Sequence, residues 1–136
     1  MQALASRLEF FFVGIRYSNA SQTMQNKSDV VITGVGVISP IGIGADNFWH
    51  ALLEGENGIR PIDLFDAHGL TVRFGGQVPS FDPKLYVRPR KSLKVMSRDI
   101  QFGFAAADLA MADAGVASER VDPERFGVVF GNDMIY

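Results

Sequence analysis

The chain has 136 residues, of which 47% are hydrophobic and 21% are charged, and its formal net charge at pH 7 is −2. This composition fits one globular domain with a hydrophobic core, excludes a disordered chain, and argues against general binding to nucleic acid. The sequence contains no cysteine, which excludes disulfides, thiolate metal sites and a cysteine nucleophile within these residues.

The N-terminal segment, residues 1–28, is predicted to lie outside the domain. Its apolar run Phe10-Phe11-Phe12-Val13 stands between charged residues, so it is too short for a membrane span of about 20 residues and is a poor match to a secretory signal. We expect either a flexible extension or an over-long start, with Met24 as the natural initiation residue. A targeting signal is the alternative. No membrane span is predicted.

Five further elements are predicted in chain order, and their alternation indicates an α/β protein. The first strand is apolar on both faces, which is typical of a central strand, and the long second helix has two apolar faces. The third strand also lacks alternation. These elements are a strand at Val30–Ile38, a helix at Asp46–Glu54 capped by Asp46, a strand at Thr71–Val78, a helix at Lys91–Ala114, and a strand at Phe126–Phe130.

A glycine-rich turn follows the first strand and raises the question of a nucleotide site. A dinucleotide-binding loop requires Gly-x-Gly-x-x-Gly followed directly by a helix. Gly34 and Gly36 open that pattern, but Ser39 occupies the third glycine position and Pro40 follows it, which disfavours immediate entry into a helix. We therefore interpret the two glycines as positions of close packing. A nucleotide-binding domain is only a minor hypothesis, and no cofactor is predicted.

A local basic segment stands out in this acidic protein. No carboxylate occurs from Lys84 to Arg98, and within a helix from Lys91 onward, Lys91, Lys94 and Arg98 would share one face. From charge alone, the segment is either a solvated helix face or a docking surface for an acidic partner. Its six cations are Lys84, Arg88, Arg90, Lys91, Lys94 and Arg98.

Five pieces of the sequence, taken in order, resemble the N-terminal part of the β-ketoacyl synthases, the condensing enzymes of fatty-acid and polyketide synthesis. They are V-V-I-T-G-V-G-V-I-S-P-I-G, F-W-H-A-L-L-E-G-E-N-G-I, F-D, R-K-S-L-K-V-M-S-R and D-P-E-R-F-G-V-V-F-G. They cover Asp29 to about Gly131, and the elongating enzymes for saturated chains (KAS II-like) are the most similar. The resemblance implies an α/β fold in which residues 29–136 form the incomplete first half of a thiolase-like αβαβα layered sandwich.

The resemblance also implies the chemistry. In this family a cysteine accepts an acyl group from acyl carrier protein, and a carbanion from malonyl carrier protein then attacks the thioester, assisted by two histidines. These groups lie beyond the matched region, and His50 and His68 match no catalytic position. We therefore predict no catalytic residue and no metal ligand here, and an inactive chain truncated before the catalytic cysteine. A noncatalytic partner resembling a chain-length factor is the alternative.

Four residues are assigned roles by the resemblance. Arg90, Lys91 and Lys94 match or adjoin the positions where the acidic carrier protein docks, although Val95 stands where relatives often have another cation. Met134 aligns with the residue that gates the acyl pocket in elongating enzymes, and an ordinary buried loop methionine is the alternative. The resemblance further implies a cytoplasmic enzyme that is a homodimer in its full-length form. Departures from the usual glycines after Gly131 leave the acyl substrate class open.

Overall fold

The computed structural model describes the backbone of residues 9–15 and residues 31–116 and 121–131 in full. Its strands are β1 (Glu9–Ile15), β2 (Val31–Ser39), β3 (Gly42–Ile43), β4 (Ile59–Pro61) and β5 (Phe74–Gly76), and its α-helices are α1 (Ala45–Leu53) and α2 (Arg98–Asp113). Short 3₁₀ helices lie at Pro83–Leu85, Arg90–Lys94 and Pro123–Arg125. This mixture agrees with the α/β class predicted from the sequence.

Strand β2 is the centre of a three-stranded sheet in the order β1-β2-β3. It confirms the strand predicted at Val30–Ile38. Strand β1 contains the apolar run of the N-terminal segment and pairs antiparallel with β2, from Glu9 opposite Ile38 to Ile15 opposite Val31. The division between an extension at 1–28 and a domain at 29–136 stays a prediction.

Helix α2 packs closely on β2 because small residues face each other. Ala105, Ala106 and Ala110 of the helix are fully buried. A methyl group at Gly36 would lie only 1.9 Å from the carbonyl oxygen of Ala106, and one at Gly34 only 2.3 Å from that of Ala110. The interpretation of these glycines as close-packing positions is therefore confirmed.

The hydrophobic core extends from this contact toward the segment that precedes α2. Ile38, Val78 and Phe102 are buried together with two alanines of the helix. Partly buried side chains complete the cluster, including Phe81 and Tyr86, whose rings stack with their centroids 5.9 Å apart. The core thus holds residues 78–86 against the sheet and α2.

Helix α2 begins seven residues later than predicted. Ser97 caps it, because the Ser97 hydroxyl accepts a hydrogen bond from the backbone N–H of Ile100 at 3.4 Å. The preceding residues Arg90–Lys94 form a separate 3₁₀ helix that ends at Val95 (φ −116°, ψ 0°). The single helix predicted over Lys91–Ala114 is therefore wrong in its first two turns.

The other elements show where sequence patterns were insufficient. Gly44, with φ 89°, precedes α1 and provides no side-chain cap, so the predicted role of Asp46 as N-cap is wrong. Of the strand predicted at Thr71–Val78, only Phe74–Gly76 forms a strand, β5. It pairs antiparallel with β4, an element that was not predicted. Phe126–Phe130, predicted as a strand, is irregular and exposed. No strand of the described residues pairs with it, and without a partner its apolar pattern does not produce a strand.

Candidate functional site

The turn between β2 and β3 is closed by Ser39 and is not arranged to hold a phosphate. Ser39 is fully buried. Its hydroxyl accepts hydrogen bonds from the backbone N–H groups of Ile41 at 3.3 Å and Gly42 at 3.0 Å, and donates one to the carbonyl oxygen of Gly42 at 2.9 Å. Because a side chain of the protein already binds these N–H groups, they are not directed at a ligand.

Replacing Ser39 by alanine should therefore destabilise the protein by about 1–3 kcal/mol, because two backbone N–H groups would lose their acceptor in a partly buried turn. Urea unfolding monitored by circular dichroism measures this difference. Thr71→Ala, at an exposed position, serves as the control and should change the free energy of unfolding by less than about 0.5 kcal/mol. Equal stability of the two variants would contradict the proposed role of the Ser39 hydroxyl.

The basic segment forms an exposed surface on two adjacent 3₁₀ helices. Arg90, Lys91 and Lys94 are all exposed on the helix Arg90–Lys94. Residues three apart lie above one another in a 3₁₀ helix, so Lys91 and Lys94 project from the same side. This helix packs against the 3₁₀ helix Pro83–Leu85, which carries exposed Lys84. We call Lys84, Arg90, Lys91 and Lys94 the basic surface.

The other two cations of the segment interact with the protein itself. The Arg98 guanidinium lies 4.8 Å from the centroid of the Phe102 ring and 5.8 Å from that of Phe81, within the range of cation–π attraction. The Arg88 guanidinium donates hydrogen bonds to the carbonyl oxygens of Lys84 and Val87. The prediction that Arg98 shares a helix face with Lys91 and Lys94 is wrong, because α2 begins only at Arg98.

The carboxylates that border the segment leave the basic surface positive. Between Asp82 and Asp99 there is no acidic residue. Asp82 is the N-cap of the helix Pro83–Leu85, where its carboxylate accepts a hydrogen bond from the Lys84 N–H at 3.0 Å. A surface with four exposed cations and no carboxylate within its own segment attracts an acidic partner over about one Debye length, roughly 8 Å at physiological ionic strength.

The two histidines lie at exposed positions. His50 is exposed in the last turn of α1. His68 lies in an open pocket of about 500 Å³ that the sequence did not predict. Its neighbours carry charges of both signs, and among the described residues no group of three side chains could hold a metal ion. The lining residues are Pro61, Ile62, Asp63, Phe65, Asp66, Ala67, His68 and Arg73.

The predicted acyl-pocket gate, Met134, lies outside the described residues. The last part of the chain that the structure describes contacts α2 through Phe130. Its ring occupies the space beside Gly103, since a methyl group there would come within 2.1 Å of the Phe130 ring. The gate assignment therefore stays a prediction, like the docking role of Arg90, Lys91 and Lys94.

Comparison with known protein families identifies the chain. The model of the β-ketoacyl synthase N-terminal domain matches residues 27–135. The chain belongs to the β-ketoacyl synthase family. This match includes the close-packed pair β2 and α2 as well as the basic surface. Among the described residues, none of the helices of this synthase segment combines the length and the hydrophobicity that a membrane span requires.

The most informative relatives come from both fatty-acid and polyketide synthesis. The segment is 40% identical over 106 residues to the tetracenomycin polyketide synthase ketoacyl synthase beta subunit of Streptomyces glaucescens, covering 78% of this chain and 26% of the relative. It is also 40% identical over 105 residues to 3-oxoacyl-[acyl-carrier-protein] synthase 2 of Synechocystis, covering 77% and 25%. The synthase segment therefore spans about a quarter of the length of these relatives.

A solved structure confirms the predicted fold class. The ishigamide ketosynthase/chain length factor matches the segment with a TM-score of 0.58 and 38% sequence identity. The match covers 64% of this chain and 21% of the solved chain. The described α/β unit therefore corresponds to part of a thiolase-like ketosynthase fold, as expected for an incomplete half of the layered sandwich.

Proposed function

We propose that these residues are the N-terminal part of a β-ketoacyl-[acyl-carrier-protein] synthase. Such an enzyme transfers an acyl group to a cysteine and condenses it with malonyl carrier protein in fatty-acid or polyketide synthesis. The observation that carries the proposal is the family match over residues 27–135, supported by relatives named 3-oxoacyl-[acyl-carrier-protein] synthase 2. The 136 residues contain no cysteine, so the nucleophile belongs to a part of the enzyme outside them.

The segment itself contributes scaffold and partner recognition to this function. The packing of α2 on β2 provides a rigid base, and the basic surface is the docking place for the acidic acyl carrier protein. Exposure of Arg90, Lys91 and Lys94 supports that role, because a protein partner reaches them without rearrangement of the core. Met134 is proposed as the acyl-pocket gate, since a flexible apolar side chain suits that task. The complete enzyme is proposed to be a cytoplasmic homodimer.

A chimera tests whether these residues support condensation when the rest of the enzyme supplies the nucleophile. In Synechocystis 3-oxoacyl-[acyl-carrier-protein] synthase 2, the quarter that matches this chain is replaced by the corresponding residues of the present sequence. We expect the chimera to form 3-oxoacyl carrier protein, at a rate within about tenfold of the parent. The 136-residue chain alone should accept no acyl group, because it has no thiol. Mass spectrometry of carrier protein and enzyme measures both results.

The control is the same graft made with the segment of the Vibrio harveyi 3-oxoacyl-[acyl-carrier-protein] synthase 2, a relative that is 39% identical to this chain. This graft measures the loss of activity that follows from replacing the segment with any foreign sequence. One outcome would contradict the proposal: the chimera has the oligomeric state and melting temperature of the parent but shows no condensation activity, while the Vibrio graft is active. Covalent acyl loading of the 136-residue chain would contradict the assignment of the nucleophile.

A noncatalytic subunit is the second candidate function. It is favoured by two comparisons: one relative is named a ketoacyl synthase beta subunit, and one similar solved structure is a ketosynthase/chain length factor. Such a subunit would pair with a true synthase and supply no thiolate. The residue encoded at the nucleophile position distinguishes the candidates, since a condensing enzyme has cysteine there and a noncatalytic subunit has another residue.

A further inference from the structure

Two apolar side chains are exposed beside the basic surface. Val95, which directly follows Lys94, is 85% exposed, and Leu85 is 67% exposed. Leu85 ends the 3₁₀ helix Pro83–Leu85, which packs against the helix Arg90–Lys94. Both apolar residues therefore belong to the elements that present the four cations.

The packing of the segment does not account for this exposure. Its contact with the core is made by other residues: Val87 is buried at 1% exposure, and Phe81 and Tyr86 pack against the core cluster. The Val95 backbone is held by a hydrogen bond from its N–H to the carbonyl oxygen of Ser92 at 3.2 Å. Val95 is thus fixed in position by its backbone while its side chain remains in solvent.

We propose that Val95 and Leu85 are the apolar contact points of the docking surface. The partner they fit is an acidic protein that presents an apolar side chain among its carboxylates. This inference rests on the proposed function, and its occupant is the acyl carrier protein. Cations increase the rate of encounter and lose their effect in salt, whereas an apolar contact is largely insensitive to ionic strength. The surface should therefore keep part of its affinity at high salt.

Binding of purified acyl carrier protein, labelled with ¹⁵N, to the 136-residue chain tests the inference by NMR titration at low and at high salt. Val95→Thr keeps the branched shape but makes the side chain polar, and we expect about a threefold loss of affinity at both salt concentrations. Val129→Thr, at a position that is 93% exposed and outside the surface, is the matched control and should bind like the wild type. Val95→Lys should gain affinity at low salt and lose it at high salt.

The outcomes separate this inference from the docking proposal. If Val95→Thr binds like Val129→Thr while reversal of Lys91 and Lys94 to glutamate weakens binding, the apolar contact is refuted and docking stands. A Val95→Lys variant that binds more tightly at every salt concentration also refutes the apolar contact. If the wild type does not bind, or if the charge reversal has no effect, the docking role fails as well.

Discussion

Replacing Gly36 by alanine is expected to unfold the protein or to lower its free energy of unfolding by at least about 3 kcal/mol, at the upper end of the range for an overpacked core. The new methyl group would lie 1.9 Å from the carbonyl oxygen of Ala106 and 2.7 Å from the backbone nitrogen of Ala110. Both atoms belong to the backbone of α2, so no side-chain rotation removes the overlap. The helix must move away from β2, and the core between them opens.

Urea unfolding followed by far-ultraviolet circular dichroism measures the effect. Gly69→Ala is the matched control, since a methyl group there meets no atom within 4 Å, and it should shift the free energy by no more than about 0.5 kcal/mol. Adding Ala106→Gly to Gly36→Ala should not restore stability, because the overlap is with a carbonyl oxygen and remains. A Gly36→Ala variant as stable as Gly69→Ala would mean that α2 does not lie on β2 as described.

Reversing Lys91 and Lys94 to glutamate is expected to reduce the affinity for acyl carrier protein by at least about tenfold at low salt, mainly through slower association. The physical reason is that two of the four cations of the basic surface become anions that repel the acidic partner. The difference from the wild type should shrink at 1 M salt, where the Debye length is about 3 Å. Stopped-flow association rates and equilibrium titrations measure both effects.

The double reversal also changes the net charge from −2 to −6, because each Lys→Glu exchange contributes −2. The control must therefore change the total charge equally at another place. Arg60→Glu with Arg125→Glu does so at two exposed positions outside the basic surface, and we expect a much smaller loss of affinity. Equal losses in the two double variants would assign the effect to total charge and would exclude a localised docking surface.

The basic surface shows what can and what cannot be predicted by counting charged residues in the sequence. The absence of acidic residues between Asp82 and Asp99 is visible in the sequence, and it predicted a positive segment. The sequence did not reveal that two of the six cations are engaged internally. Arg98 and Phe102 are four residues apart in α2, and the Arg98 guanidinium lies 4.8 Å from the centroid of the Phe102 ring. The 3₁₀ helix ends before Ser97, and Ser97 caps the start of α2, so Arg98 does not continue the helix that carries Lys91 and Lys94.

Sequence patterns alone predicted the strand β2, the close approach at Gly34 and Gly36, the rejection of a nucleotide loop at Ser39, and the family. These features depend on local sequence patterns and on residue size, and both can be read directly from the sequence. Two features became visible only in the folded chain: Ile59–Pro61 pairs with Phe74–Gly76, and Phe126–Phe130 forms no strand among the described residues. A strand requires hydrogen bonds from a partner distant in sequence, so apolar patterns alone do not determine which segments become strands.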